Sequence, residues 1–314
     1  MAIFRQQILN GPLRVLRTEF HLRPPTNTDF WHNDTFTHPS PPVSGNNFLA
    51  RSPDEFIAFP LESDVEMAED EFPKFGMTNK IPMGENSVSV CFPCYNEQDN
   101  IRSVYEETSK MLNQMGIDYE IIFVDDGSTD HSPQIAEVIV RADPRVKLIR
   151  HATNLGYGVA LRSGFQAATK TLVFFTDSDC QFDIKEFPPL LSLMQDYDIV
   201  SCFRIDRQEG ILRKLNGWCW TVLTCLLFRM KLRDVNCAFK LFKRRVFDEM
   251  HLHSTGALIN AEILARATRQ RFKITQIGVH HFARKNGRQT GSNPKVVFRA
   301  FRELISLQSD IRHG

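Results

Sequence analysis

Long apolar runs are missing from this chain. No stretch reaches the roughly 20 apolar residues that cross a bilayer, and the amino-terminal M-A-I-F-R-Q-Q-I-L-N-G contains no secretory apolar block. An excess of one charge is missing too. Lys and Arg number 38 against 37 Asp and Glu, so bulk charge makes no case for nucleic acid as a partner. The seven cysteines are scattered and odd in number, which excludes a framework of paired bridges and favours a reducing, cytoplasmic compartment. Cys91 and Cys94 form a lone C-x-x-C inside the strand-like V-S-V-C-F-P. No further ligands stand at zinc spacing, and no helix opens there as a redox site would require. The usual nucleotide fingerprints are also absent. N-L-G-Y-G-V-A-L-R-S-G, from Asn154 to Gly164, is a glycine-bearing turn opening a helix, but Leu161 stands where the third glycine of G-x-G-x-x-G belongs. That argues against an NAD or FAD enzyme, and no Walker lysine motif is present.

What is there divides in two. Residues 1–82 hold ten of the sixteen prolines, and six acids without a base lie between Glu62 and Glu71. With little hydrophobic period, this part reads as a disordered or loosely attached extension. Residues 83–314 read as the catalytic domain. From Ser87 strand-length apolar runs alternate with amphipathic segments. Strands are expected at Val88–Phe92, Tyr119–Val124, Val146–Ile149, Leu172–Thr176 and Ile199–Phe203. Helices are expected over about Glu97–Met115 and Ser132–Arg141, and from near Val159 and Ile184. Such alternation, with strands apolar on both faces, implies an α/β, Rossmann-like, doubly wound and mostly parallel sheet. Charge is also uneven: residues 83–200 carry nine bases and eighteen acids, residues 201–314 twenty-two bases and eight acids. An acidic first half suits a cation; a basic second half suits phosphates or an anionic membrane face.

Two acidic clusters end predicted strands: I-I-F-V-D-D-G-S-T-D with Asp125, Asp126 and Asp130, and L-V-F-F-T-D-S-D-C-Q with Asp177 and Asp179. Ligands of open α/β sheets bind beyond the carboxyl ends of the strands, so both clusters point to one crevice. Two carboxylates as close as Asp177 and Asp179 repel unless a proton or cation relieves them. Mg²⁺ or Mn²⁺ does so and also neutralises a diphosphate, and Gln181 offers a neutral oxygen ligand. The bland alternative is helix capping through Asp183 and its neighbours. Asp125 and Asp126 can accept from the N–H and O–H donors of a base or ribose, although D-G-S-T-D is also a good turn and helix start.

F-P-C-Y-N-E-Q-D-N-I, V-D-D-G-S-T-D, N-L-G-Y-G-V-A-L-R-S-G and D-S-D-C-Q-F-D occur in an order that resembles the inverting family 2 glycosyltransferases of the GT-A fold. The continuation resembles the dolichyl- or polyprenyl-phosphate mannosyl- and glucosyltransferases. It comprises D-I-V-S-C-F-R ending in Arg204, D-V-N-C-A-F-K-L-F from Asp234, N-A-E-I-L with Glu262, and A-R-K-N-G-R-Q-T-G. The resemblance spans residues 87–308. It implies transfer of a hexose from a nucleotide diphosphate sugar, of the GDP-mannose or UDP-glucose type, to a lipid phosphate. By position, Pro93, Tyr95, Glu97, Asp125, Asp126 and Asp177 would hold the nucleotide sugar, and Asp177, Asp179 and Gln181 the metal. Arg204 and Arg213 would face the acceptor phosphate, with Arg284 or Arg288 closing over the site. Cys202 and Phe203 depart from the glycines of that group, and the late loop departs from its spacing.

A lipid phosphate is anionic already, so no general base is needed, and no histidine is placed by motif to act as one. His280 and His281 follow a β-like run in which one faces the core. N-G-W-C-W-T-V-L-T-C-L-L-F, Asn216–Phe228, is flanked by Arg213, Lys214, Arg229, Lys231 and Arg233. It reads as an interfacial helix that seats Trp218, Trp220 and Leu226 at a membrane, with K-V-V-F-R-A-F-R-E-L-I-S-L as a second such segment. Core or homo-oligomer packing is the alternative. The expected location is therefore cytoplasmic, peripheral on the cytosolic face of a membrane. Since every motif lies beyond residue 82, a chain starting at Met83 should keep the sugar-nucleotide turnover of the intact chain. Loss of turnover in a folded, soluble truncation would show that the extension completes the site.

Overall fold

Parallel strands buried on both faces need apolar residues at every position, and the strand Asp118–Asp125 shows it: Ile121, Ile122, Phe123 and Val124 are all at most 1% exposed. The computed structural model describes residues 87–206, 210–248, 250–284, 303–304 and 307–311. The expected amino-terminal extension lies outside these residues, as do Arg288 and most of the late apolar segment.

The described chain runs β1 (Ser87–Cys94), α1 (Ile101–Met115), β2 (Asp118–Asp125), α2 (Ser132–Ala142), β3 (Val146–Arg150), α3 (Tyr157–Ala167) and β4 (Leu172–Thr176). A 3-10 turn (Ile184–Glu186), α4 (Pro188–Leu193), β5 (Ile199–Ser201), β6 (Phe203–Ile205) and α5 (Ile211–Phe228) follow. Then come β7 (Phe239–Lys243), α6 (Arg245–Asp248), α7 (Ile259–Arg269), β8 (Ile274–Thr275) and β9 (Gly278–His280). Seven strands form one sheet in the order β3-β2-β1-β4-β7-β5-β8, and β6 pairs with β9 in a second. All pairings are parallel except those of β7, which is antiparallel to both β4 and β5.

The expected strands are present. Ile199–Phe203 is the exception. It divides at Cys202 into β5 in the main sheet and β6 in the small one, so a run that reads as one strand changes partners midway. The helix expected from Ile184 begins as a 3-10 turn capped by Asp183, whose side chain accepts from the Lys185 N–H at 3.0 Å. The capping alternative therefore holds for Asp183, not for the two aspartates before it.

Alternation along β1 sends Val88, Val90, Phe92 and Cys94 into one core cluster, with α1 and α2, and Cys91 into the other, with α3 and α7. The C-x-x-C pair thus straddles the sheet. Both thiols are buried, and burial pushes their pKa values far above the ordinary range, as inert core cysteines show. The two layers leave the carboxyl ends of β1, β2 and β4 side by side: Cys94 is in register with Asp125, and Cys91 with Phe175. Gly127 turns the chain after β2 at φ +73, where a Cβ would lie 2.4 Å from the Thr153 backbone. Only glycine fits so close an approach, and it lets the 151–156 loop lie against the acidic turn.

Candidate active site

Loops after β1 and β2 are laced together before any ligand is considered. Asn96, in the left-handed region at φ 57, donates its N–H to Ser128 Oγ at 2.9 Å and accepts from the Thr129 N–H at 2.8 Å. The Glu97 N–H reaches Ser132 Oγ at 2.8 Å, and Asp130 accepts from the N–H groups of Gln98 and Ser132. Pro93 accepts from Ser178 Oγ at 2.9 Å, which ties β1 to the turn that follows β4. Tyr95 stands 39% exposed at the mouth, available to stack on a planar base. Asp125, buried at the end of β2, accepts from the Ser128 N–H at 3.1 Å and lies 3.7 Å from Arg150 Nε.

Asp126 has different work. Its carboxylate receives His151 Nδ1 at 2.7 Å and the N–H groups of Leu155 at 2.9 Å and Gly156 at 2.8 Å. These bonds fix the glycine-bearing loop at the start of α3.

Asp177 and Asp179 follow the end of β4, Asp179 buried and Asp177 partly buried. Tyr157 donates to Asp177 Oδ1 at 2.9 Å. The Gln181 N–H reaches Asp179 Oδ1 at 3.1 Å across Cys180, which adopts φ 57. Gln181 Nε2 donates to the Phe282 carbonyl at 2.9 Å, so the amide is oriented and its oxygen is the remaining ligand atom. Burial first, then the charge of Asp179, raises the Asp177 pKa to about 7. Burial likewise raises Asp179, opposed by the Gln181 N–H and by the charges of Arg284 and Arg213. Burial raises Glu97, opposed by Asn100 and Arg284. Arg284 pairs with Glu97 and lies 3.6 Å from Asp179. Two carboxylates largely withdrawn from water, with the charge of one raising the pKa of the other, and an oriented amide are a donor set that fits a hard divalent cation. Among the described residues no three His, Cys, Asp or Glu side chains are grouped as a metal site.

The structure brings Arg213 and Arg284 to the D-x-D pair. Arg204 is held back by a fork to buried Asp234, Nε at 2.7 Å and a terminal nitrogen at 3.1 Å. His281 is buried against Phe182, their ring centroids 5.0 Å apart, and His280 pairs with Glu186. Sequence reading missed Tyr157, which stood within the glycine-bearing turn, and Lys240, which stood unremarked within D-V-N-C-A-F-K-L-F. The buried end of β7 was a signal for the second: a lysine between Phe239 and Leu241 must find partners.

A family model described as glycosyl transferase family 2 matches residues 89–264. The chain belongs to that family. Among curated relatives, it is 31% identical to the undecaprenyl-phosphate 4-deoxy-4-formamido-L-arabinose transferase of Yersinia enterocolitica over 216 residues, 67% of this chain. The protein of the same name from Pectobacterium carotovorum is 32% identical over 233 residues, 72% of this chain. The chain spans 64% and 66% of the lengths of these two relatives. Among solved structures, glucosyl-3-phosphoglycerate synthase of Mycobacterium tuberculosis, in complex with Mn²⁺, UDP-glucose and phosphoglyceric acid, superposes with a TM-score of 0.61 at 18% identity, over 76% of this chain and 86% of that one. That likeness shows the GT-A fold expected from the motifs.

One prediction concerns the apo site. Folded Asp177 keeps its proton to about pH 7, whereas its ordinary pKa is 3.8. Between those values the unfolded chain binds fewer protons, so this carboxyl lowers stability as pH rises. Asp177→Asn should therefore raise the Tm in chelator-treated buffer at pH 8, by about 5 °C or more, and the gain should vanish near pH 4. Thermal unfolding across a pH series checks this; a Tm difference that does not change with pH would place the proton elsewhere.

Proposed function

We propose that this protein transfers a sugar, with inversion, from a nucleotide diphosphate donor to a polyprenyl phosphate at a membrane face. The observation that carries the reading is the Asp177–Asp179 pair, partly and fully buried in turn, raised in pKa and faced by Arg213 and Arg284. A bound Mg²⁺ or Mn²⁺, held by Asp177, Asp179 and Gln181, would neutralise the departing diphosphate. Tyr95 would stack on the base, and Asp125 and Glu97 would accept from nucleotide donors. Arg213 and Arg284 would grip the acceptor phosphate with paired donors. Arg204 would take part only by leaving or sharing Asp234. The attacking phosphate oxygen is already ionised, so the transfer would need no general base. The relatives named above carry an undecaprenyl-phosphate acceptor and a five-carbon sugar in their names, which supports the lipid acceptor and leaves hexose against pentose to assay.

Membrane seating follows from α5. Ile211, Leu215, Trp218 and Leu226 are 83%, 51%, 60% and 75% exposed. At i, i+4, i+7 and i+15 they share one helix face, with Lys214 and Arg229 exposed on the same helix and at its end. Trp220 is amended from the expected set, since it packs against the core. No helix of the described residues is long and apolar enough to cross a membrane, so the face would lie in the headgroup region. The location this implies is the cytosolic surface of a membrane.

Full-length protein with polyprenyl phosphate, Mn²⁺ or Mg²⁺, and a panel of UDP- and GDP-linked hexoses and pentoses should move label into the organic phase. Asp179→Ala should cut this by about a thousandfold or more while the fold persists; normal activity of that variant in chelator-treated buffer would overturn the metal-dependent reading. Label confined to an aqueous product would overturn the lipid acceptor and leave the glycosyltransferase. Co-sedimentation with anionic liposomes should weaken with salt and with Trp218→Ser; indifference to both would remove α5 as the membrane face.

A further inference from the structure

Bases collect at the end of the sheet away from the D-x-D turn. Antiparallel β7 finishes there, because its last residue, Lys243, pairs with Leu172 at the start of β4. Arg244 and Arg245 follow, both exposed. Parallel β8 begins at the same end, since Ile274 pairs with Ile199 and Ile199 with Phe242. The turn from α7 into β8 therefore adds Arg269, Arg271 and Lys273, all exposed. Among the described residues the acids beside these six bases are Asp196, Asp198 and Asp248. Asp198 takes Lys243 at 3.2 Å and Arg245 at 2.6 Å, and Asp248 takes Arg244 at 3.1 Å. No ion pair joins Arg269, Arg271 or Lys273 to another of the described residues. Like charges gathered on one rim repel each other and favour an anionic occupant.

The chain itself enters the sheet beside this rim. Ser87 donates its N–H to Thr171 Oγ1 at 3.0 Å, and the Arg244 N–H donates to the Thr171 carbonyl at 2.9 Å. Ser87 and Arg244 thus flank one residue, two strand spacings or about 10 Å apart. Sixteen positions before Ser87 stands Glu71, the last of the six acids that run from Glu62 without a base. Sixteen residues span at most about 55 Å, so the acidic run reaches the whole rim with chain to spare. We infer that residues 62–71 dock on this basic rim, their carboxylates against Arg269, Arg271 and Lys273. A tethered segment is most concentrated near its point of attachment. That favours the rim over Arg213, whose charge acts on Asp179 at the other end of the sheet. Exposed ion pairs contribute little one by one, so the contact depends on several charges acting together and on the tether. Docking at this end leaves the D-x-D turn open.

The test uses the full chain with a photoreactive benzoylphenylalanine placed at Met67, in the middle of the acidic run. Irradiation at low salt should give intramolecular cross-links to peptides holding residues 244–245 or 269–273, read by mass spectrometry. Their yield should fall severalfold when salt rises from about 0.05 M to about 0.5 M. It should fall as far in a variant carrying Arg269→Gln, Arg271→Gln and Lys273→Gln. A second variant carries Glu62→Gln, Asp64→Asn, Glu66→Gln, Glu69→Gln, Asp70→Asn and Glu71→Gln. It should lose the cross-links too, and it leaves every described residue unchanged, so it serves should the first not fold. Joining the two variants should lose no more than either alone. Cross-links that persist in both variants, that map to residues 213–233 instead, or that never form overturn the inference. So does a yield that rises with protein concentration, which would seat the acidic run on a second copy. Native protein that forms no cross-link but binds phosphatidylglycerol vesicles through Arg269, Arg271 and Lys273 would give the rim to lipid and overturn it as well.

Discussion

Everything about this site depends on one unfavourable interaction: two carboxylates, two residues apart, held after β4, Asp179 buried and Asp177 partly so. Loss of water pushes both toward protonation, and the charge of Asp179 adds to it at Asp177. The surrounding residues are arranged as partial answers to that cost. Arg284 and Arg213 bring positive charge from the far half of the chain, the Gln181 N–H and the Tyr157 hydroxyl donate to the carboxylates, and Lys240 lies behind. None of these removes the repulsion as a bound cation would. A fold that keeps such a pair dry gives up stability for it, as functional sites commonly do.

The antiparallel strand β7 is what makes the arrangement three-dimensional. A parallel strand brings only its carboxyl end, and the loop that follows it, to the crevice. Because β7 runs against β4, with Thr176 opposite Phe239 and Phe175 opposite Lys240, its amino-terminal end lies beside the D-x-D turn. The loop before it then comes within reach, and D-V-N-C-A-F-K becomes legible as one device. Asp234 forks Arg204, the Val235 and Cys237 carbonyls wrap the Lys240 ammonium, and the two ends share a buried pocket of charge. The Cys237 thiol in its midst is pushed up to about 12, by burial first and the Asp234 charge second.

Local signals account for what could be read from the sequence. Leu172–Thr176 and Ser132–Arg141 were legible because apolar period and flanking turn residues decide such elements within a few positions. The acidic strand ends were legible because a parallel sheet gathers its carboxyl ends. Three things were not. The split of Ile199–Phe203 depends on which strand lies alongside, since Phe203 pairs with Gly278, 75 positions away. The division of labour between Asp125 and Asp126 depends on a loop that only the fold brings back: His151, Leu155 and Gly156 take one carboxylate and not its neighbour. The inward turn of Trp220 beside outward Trp218 follows from helix phase, and the phase is set once Ile211, earlier than the apolar run itself, starts the helix.

The uneven charge of the chain gains a structural meaning at this point. The acidic half supplies strand ends and the basic half supplies what faces them, but the two kinds of base are used differently. Lys240 is spent inside, where its donors are fully taken by protein oxygens. Arg213 and Arg284 lie where they offset carboxylates, and Arg284 remains paired with Glu97. A guanidinium resting on carboxylates can exchange them for phosphate oxygens of like charge and geometry at modest cost, whereas a buried ammonium with three protein acceptors cannot. The same sign of charge thus serves two ends: a fixed scaffold behind the D-x-D turn and an exchangeable partner in front of it, the side from which the proposed anionic substrate would approach.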